Sequence, residues 1–479
     1  MVRGERGEET KGSEGEERGR GGEGRGERGE ARCARRAGGP AAARRARVSW
    51  QRGGDAPCFH RARTAKSRSP RMARANDKTA SNRTPRELNR SLVLDLVQEH
   101  GPISRTNLAR LSGLTKPTVS AIIEELLENG SVRDVGTESR GGRPARLLEF
   151  NDDSAAYLGI EIGVEQTTVA VADARGRLRA RLDQPTVLRD PHRTVRDVAE
   201  LLPKVLQLSG VPRKRLRGAC AIVPGLIERP SGVCVLAPNL GWERFPLRAE
   251  LSRALRMQVP VYNLPQAAAV AEGELGAARG QVSYVWIYVG LGVGAGLVVD
   301  GRLFFGMQGY SGEIGHCRVA DDGPPCGCGR RGCLETFASV MALRRAAEVA
   351  SARSPQLAAL PRPHAVGAVA GAALAGDESA RAIFHDAGVR LARGIGVLLN
   401  LLNPQLVVLG GELLAAPDIL LEGVREELPR HAVRAGAVPV VASPLGSEAG
   451  LLGAVLLARE GAVRSLRLVP DGVLQDSAP

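Results

Sequence analysis

The chain has 479 residues, enough for roughly two to four domains that each bury a core of their own. It carries 66 Lys and Arg against 52 Asp and Glu, but residues 1–80 hold 21 bases and 11 acids while residues 81–479 hold the other 45 and 41. The basic surplus therefore belongs to the first sixth of the chain, which excludes a folded part that is a broad polycation, and no stretch approaches the ~18 apolar residues of a membrane-spanning helix.

Residues 1–83 read as a basic low-complexity tail. Over residues 1–71 Gly, Glu, Arg and Ala dominate without helical or strand period, and "GEGRGERGEARCARRAGG" cannot build a core, so disorder is expected. The tail is either a basic arm for nucleic acid, or an inert tail, or upstream DNA read as protein ahead of a natural start at Met72; the alternation of acids and bases at its beginning favours the last two over the arm. The opening Met-Val-Arg-Gly-Glu-Arg has no apolar signal core behind it, so a cytoplasmic location is expected.

Residues 84–150 read as a winged helix-turn-helix. Thr84-Pro85-Arg86-Glu87 fits a helix start, with Leu88, Val93, Leu96 and Val97 on its inner face. Ser104 can cap a second helix, with Leu108 and Leu111 inside and Gly113 at its end. Thr115 caps a third, whose Val119, Ile122, Ile123, Leu126 and Leu127 make an apolar stripe before Gly130. Two short helices joined by a tight Ser-Gly-Leu turn are the helix-turn-helix pattern. Val132 to Val135 and Ala145 to Phe150 follow as strands flanking a Gly- and Arg-rich hairpin, the shape of a wing. Lys116, Thr118 and Ser120, on the first turns of the third helix, are the candidate readers of the major groove. Arg143 on the wing is the candidate for the minor groove. Arg105, Arg110 and Arg133 either contact phosphate or are simply solvated.

From Ala155 the pattern is α/β. "AAYLGIEIG" and "TTVAVAD" are apolar strands, a helix is expected from about Arg193 to Leu208, and "GACAIVPG" and "VPVYN" are further strands. "YVWIYVGLGVGAGLVVDGRLFF" reads as strand, Gly-rich turn, strand, turn, strand; helices follow, broken by "QLVVLGG" and "PVVAS". Strand triplets with helices between them, occurring twice, predict a duplicated α/β domain around a cleft. The lobes are assigned to residues 151–265 and 266–460, with a C-terminal tail at 461–479.

Of the eight cysteines, four crowd within residues 317–333. His316, Cys326, Cys328 and Cys333 offer three thiolates and one imidazole, a closed tetrahedral shell that suits a structural zinc and leaves no place for a reactive water. Cys317, next to His316, reads as a core thiol. Glu313 and Glu335 bracket this loop. With the free nitrogen of a metal-bound His316 they suit the hydroxyls of a sugar, or they merely support the metal ligands; the residue chemistry leaves both open. The glycines Gly290, Gly292, Gly294 and Gly296 either let backbone amides approach phosphate or form a hairpin without ligand, and the hairpin is favoured.

These residues resemble a family. "APNLGW" at Ala237–Trp242, "DGRLFFGMQGYSGEIGH", "DDGPPCGCGRRGCLE", "LLNPQLVVLGGELL" and "GSEAGLLGAVLLA" are similar to the ROK family of repressors and sugar kinases, and the resemblance covers about residues 84–460. A winged helix ending in Gly-Gly-Arg-Pro resembles the regulator branch. The resemblance implies a two-lobed actin-like ATPase (ribonuclease H-like) fold with structural zinc, and carries sugar contacts over to Gly225, Asn263, Glu313, His316 and Glu335.

The departures from the kinase pattern bear on function. Leu264 stands where the kinases have an Asp as general base, in Asn263-Leu264-Pro265-Gln266. Val164 and Glu165 alter the first phosphate loop, Glu161-Ile162-Gly163-Val164-Glu165-Gln166, and Leu291 replaces a hydroxyl in the second. The expectation is a DNA-binding transcriptional regulator, a repressor of carbohydrate genes, with a catalytically inactive sugar-kinase-like sensor and no enzymatic activity. Its expected partners are an operator duplex, a sugar or sugar phosphate effector, and further copies of itself as a homodimer or homotetramer, with no membrane. The alternatives are an active sugar kinase with an accessory DNA-binding domain, and a constitutive DNA-binding protein without sugar response.

Overall fold

The computed structural model describes residues 85–138 and 144–466. The expected disordered tail, the Thr84 cap, Arg143 at the tip of the wing and the chain beyond 466 lie outside the described residues.

The first unit runs α1 (Pro85–His100), β1 (Ile103–Ser104), α2 (Arg105–Ser112), α3 (Lys116–Glu128), β2 (Val132–Glu138) and β3 (Ala145–Phe150). Ser104 Oγ accepts the Asn107 N–H at 3.3 Å, Gly113 closes α2 at φ 70°, and Thr115 Oγ1 accepts the Thr118 N–H at 3.4 Å. A left-handed cap and an N-cap two residues later hold the two helices at a tight turn. The strands pair antiparallel in the order β1-β3-β2. Val93, Val97, Leu108, Val119, Ile122, Ile123 and Leu126 close over Leu148 and Phe150. Leu88 and Leu111, expected inside, are 48% and 42% exposed. Leu88 sits roughly 140° round the helix from Val93 and so misses the common centre. Leu111 lies on the last turn of α2 and faces outward.

Two five-stranded sheets with one topology follow. The first is built from β4 (Ala156–Ile162), β5 (Gln166–Asp173), β6 (Leu178–Pro185), β7 (Leu216–Val223) and β11 (Val261–Asn263) in the order β11-β7-β4-β5-β6. Its first three strands form an antiparallel meander, β7 runs parallel to β4, and β11 parallel to β7. A small antiparallel sheet, β8 (Leu226–Ile227), β9 (Cys234–Ala237) and β10 (Trp242–Phe245), lies between β7 and β11 in the chain. Helices α4 (Pro191–Ser209) and α5 (Leu247–Leu255) cover the outer face.

The second sheet repeats the plan. It contains β12 (Tyr284–Val289), β13 (Val293–Val299), β14 (Arg302–Phe304), β15 (Leu406–Gly410) and β16 (Val440–Ala442), in the order β14-β13-β12-β15-β16. Again a meander is followed by two parallel additions. Around it lie α7 (Val340–Ala350), α8 (Pro355–Ala358), α9 (Val366–Leu374), α10 (Glu378–Leu402) and α11 (Pro417–Glu427). Helix α6 (Leu264–Leu275) and the closing helix α12 (Ala449–Leu466) pack between the sheets.

Two boundaries differ from the linear division. Helix α12 continues to Leu466, so residues 461–466 are helix rather than tail. It also returns to the first lobe, packing on β4, β7 and α6. Gly159 and Gly218 open room on the sheet for this helix, since a Cβ at either would run into Val455 or Ala458. No helix among the described residues is long and apolar enough to cross a membrane.

Candidate functional site

A cleft of about 790 Å³ opens between the lobes. Gly225, Asn263, Glu313, His316 and Glu335 all line it, so five residues far apart in the chain meet at one surface. Gly225 follows β7 at φ 129°, and a Cβ there would collide with the Leu236 carbonyl, so this position offers only backbone to a ligand. Asn263 ends β11 and caps α6, its Oδ1 accepting the Gln266 N–H at 3.0 Å, which turns the side-chain amide toward the head of that helix. Gln266 donates to the Gly309 carbonyl at 3.1 Å, tying the head of α6 to the loop that carries Glu313. Leu264 packs against both inner cores.

The sulfur and nitrogen atoms of His316, Cys326, Cys328 and Cys333 lie within 4.8 Å of one another. Cys326 Sγ is 3.6 Å from His316 Nδ1, and Cys328 Sγ is 3.7 Å from Cys333 Sγ. Sulfurs ~2.3 Å from a tetrahedral zinc would stand ~3.8 Å apart, and a sulfur and an imidazole nitrogen ~3.6 Å apart. The cluster therefore has the edges of such a tetrahedron, and the residues fit the metal. The loop is closed by the Cys326 N–H bond to the Arg330 carbonyl at 2.7 Å and the Val319 N–H bond to the Gly332 carbonyl at 2.8 Å. The Arg330 backbone N–H and guanidinium hold the Cys328 thiol down at about 6, whereas burial pushes Cys333 up to about 12. Cys317 is half-buried against the second-lobe core and stands outside the cluster.

With Nδ1 facing the sulfurs, His316 Nε2 points to the cleft, 4.0 Å from Glu313 Oε2. That gap is too long for a hydrogen bond and wide enough for one hydroxyl to bridge both groups. Burial raises the Glu313 carboxyl, against the pull of His316. Glu335 accepts the Val293 N–H at 3.2 Å, so its carboxylate ties the cysteine loop to the Gly-rich turn. The glycines of that turn have packing roles. A Cβ at Gly296 would strike the Pro265 carbonyl, and one at Gly290 the Glu412 carboxylate.

The other end of the cleft is acidic. Glu161 at the end of β4, Glu165 in the following turn, Glu412 after β15 and Glu448 before α12 all line it. Burial pushes Glu161 up to about 7, Arg181 opposes the rise, and Glu448 and Glu412 add to it. Burial also raises Glu412, whose Oε1 accepts the Tyr288 hydroxyl at 3.0 Å. Arg181 is held by Asp183 at 2.9 Å and Glu448 at 2.8 Å. Of these acids the sequence marks only Glu161 and Glu165, through the altered first loop; the signal for Glu412 is the Gly-Gly-Glu at Gly410–Glu412.

On the winged helix, Lys116 is exposed and Thr118 and Ser120 are half-buried. The Thr118 hydroxyl lies 2.8 Å from the Thr115 hydroxyl. Arg105 and Arg133, left open between phosphate and solvent, are paired with Glu124 at 3.2 Å and Glu149 at 3.0 Å, while Arg110 is exposed. The unit is docked on the first lobe by the β5–β6 turn. Ala174 enters its core, Arg175 stacks 5.1 Å over the Phe150 ring and donates to the Gln98 carbonyl at 2.9 Å and to Asp152 at 2.6 Å. Although burial pushes it up, the Arg175 and Arg177 guanidiniums hold the Asp152 carboxyl below its usual range. Helix α12 reaches both places. Gly450 in its first turn lies against Leu264 and Glu161 of the cleft, and Arg459 donates to the Arg175 carbonyl at 3.3 Å.

A ROK family profile matches residues 157–461, and a winged helix-turn-helix DNA-binding profile matches residues 87–133. The chain belongs to the ROK family. Among ROK proteins, it is 30% identical to the xylose repressor of Caldicellulosiruptor bescii over 71% of this chain and 87% of that one. It is 29% identical to the N-acetylglucosamine repressor of Escherichia coli O157:H7 over 80% and 95%. The crystal structure of a ROK family transcriptional regulator, a homologue of the E. coli MLC protein, superposes with a TM-score of 0.69 at 26% identity, covering 80% of this chain and 98% of that one. The ROK hexokinase of Thermus thermophilus superposes with a TM-score of 0.55 at 33% identity over 64% and 99%. The regulators thus match a longer part of this chain than the kinase does.

Proposed function

We propose that this ROK-family chain is a DNA-binding repressor of carbohydrate genes whose cleft senses a sugar and does not phosphorylate it. The observation that carries the reading is Leu264, an aliphatic side chain at the head of α6 beside Asn263, in a cleft that otherwise keeps hydrogen-bonding groups for hydroxyls. A base that takes a proton from the attacking hydroxyl has no counterpart at that position. Gly225, Asn263, Glu313, His316 and Glu335 are assigned to the sugar. Zinc is assigned to His316, Cys326, Cys328 and Cys333, where four protein ligands suit a structural role; when bound it would fix the orientation of His316 and so aim Nε2 at the ligand.

Lys116, Thr118 and Ser120 are assigned to base contacts and Arg143 to the wing contact. Residues 84–150 carry nine Lys or Arg and nine Asp or Glu, so one winged helix has no net charge with which to hold DNA. That balance supports a homodimer or homotetramer acting on a two-fold site. The contacts of α12 with Leu264 and Glu161 of the cleft and with the winged-helix junction support a route by which sugar alters DNA binding. Buried thiols at Cys220 and Cys234 and a DNA partner go with a cytoplasmic location.

The test begins with selection of bound duplexes from a random pool and gel shifts on the consensus. Lys116→Ala and Ser120→Ala each weaken the selected site, by about 1–3 kcal/mol per lost base contact, far more than random DNA. Equal losses on both would contradict base reading by α3.

A further inference from the structure

We infer that the effector of this cleft is an unphosphorylated sugar, and that the carboxylates at its far end reject sugar phosphates. The inference rests on the reading of the cleft as a sugar sensor and specifies its ligand.

A phosphate site needs donors: unpaired Arg or Lys, or backbone N–H groups aimed at one point. Among the described residues this cleft supplies few of either. Six carboxylates line it, those of Glu161, Glu165, Glu313, Glu335, Glu412 and Glu448, against two guanidiniums. Arg181 is spent on Asp183 and Glu448; Arg344, whose Nε donates to the His364 carbonyl at 3.3 Å, is left as a single cation against the six carboxylates. Three amides of the two turns are also engaged. The Gly163 N–H bonds the Gln166 carbonyl at 2.9 Å, the Gly290 N–H the Gly292 carbonyl at 3.0 Å, and the Val293 N–H the Glu335 carboxylate at 3.2 Å. An internal carboxylate thus sits where an anion would have to bind.

The charge already present is near its limit. Glu161 accepts no hydrogen bond among the described residues and is pushed by burial to about 7, with Glu412 and Glu448 adding to the rise. A phosphate dianion brought to the same end would meet these groups in a partly desolvated cleft, where like charges repel far more strongly than in water. A hydroxyl has no such conflict, since it donates to carboxylates and accepts from His316 or Asn263.

Calorimetric titration of the full chain with matched pairs tests this: D-glucose and glucose 6-phosphate, N-acetylglucosamine and its 6-phosphate, with inorganic phosphate as a control. The expected result is measurable binding of at least one parent sugar, binding of its phosphate weaker by about tenfold or more, and no binding of inorganic phosphate. In a Glu161→Gln, Glu412→Gln double variant the gap within the pair narrows several-fold; an unchanged gap would overturn the role given to these carboxylates. A 6-phosphate that binds more tightly than its parent overturns the inference and leaves the sensor reading standing. No binding by any sugar or sugar phosphate overturns both.

Discussion

Glu161→Gln is expected to stabilise the protein, and to do so only where the native carboxyl is ionised. The side chain lies at the end of β4 inside the cleft, where burial raises its proton affinity, Arg181 opposes the rise, and Glu448, Glu412 and Asp183 add to it. A carboxyl that titrates near 7 in the folded protein and near 4.5 otherwise destabilises the fold by on the order of 3 kcal/mol once fully charged. The sign follows from proton binding. Between these values the folded state holds a proton that the unfolded state has released, so stability falls as pH rises through the interval and stays low above it. At pH 5.5 the penalty is about 1 kcal/mol, and by pH 8.5 it is complete, a difference of roughly 2 kcal/mol. Urea unfolding at the two pH values, followed by the buried Trp242 and Trp286, one in each lobe, reads this directly. The variant gains over the parent at pH 8.5 and gains much less at pH 5.5. A variant destabilised equally at both would show that Glu161 is an ionised, satisfied group, and the acidic-end argument would fail with it.

Three further outcomes are expected. Freshly purified protein contains about one zinc per chain by elemental analysis, and Cys328→Ser loses metal and stability together, because binding is coupled to closure of the 326–333 loop; a metal-free, equally stable parent contradicts this. Leu264→Asp yields no good sugar kinase in a coupled ADP-release assay, since the carboxylates of Glu161, Glu165 and Glu412 at one end of the cleft would still repel nucleotide phosphates brought there; rapid turnover on any hexose would refute that account. Deleting residues 1–71 leaves the denaturation midpoint and binding to the selected DNA site nearly unchanged, and loss of specific binding would make the tail a true DNA arm.

The features legible in the sequence are those written locally. Ser104, Gly113 and Thr115 announce two capped helices and the turn between them because capping depends on a few adjacent residues. The four metal-type ligands are legible because three of them fall within eight residues, Cys326 to Cys333. The acidic end is not legible. Glu161, Glu412 and Glu448 come from a strand end in each sheet and from the start of the last helix, and only the fold brings them together. Nor does chain order reveal that α12 returns to the first lobe, since its apolar residues say that it is buried and not against what. Leu111 is exposed for a related reason: an apolar residue on the last turn of α2 is marked by periodicity, but not how far the neighbouring elements extend to cover it.

The central claim is that the cleft senses a sugar on behalf of the winged helix, and Glu313→Ala tests it most directly. Glu335 also holds the Val293 N–H, so its removal disturbs the Gly-rich turn as well, whereas Glu313 faces His316 and the cleft. The measurement is the Kd for the selected DNA duplex, by gel shift, with and without the sugar that binds the parent. The account predicts that Glu313→Ala binds DNA as the parent does and no longer responds to the sugar. A variant that responds as fully as the parent, or a parent that binds sugar without any change in its affinity for DNA, would contradict it.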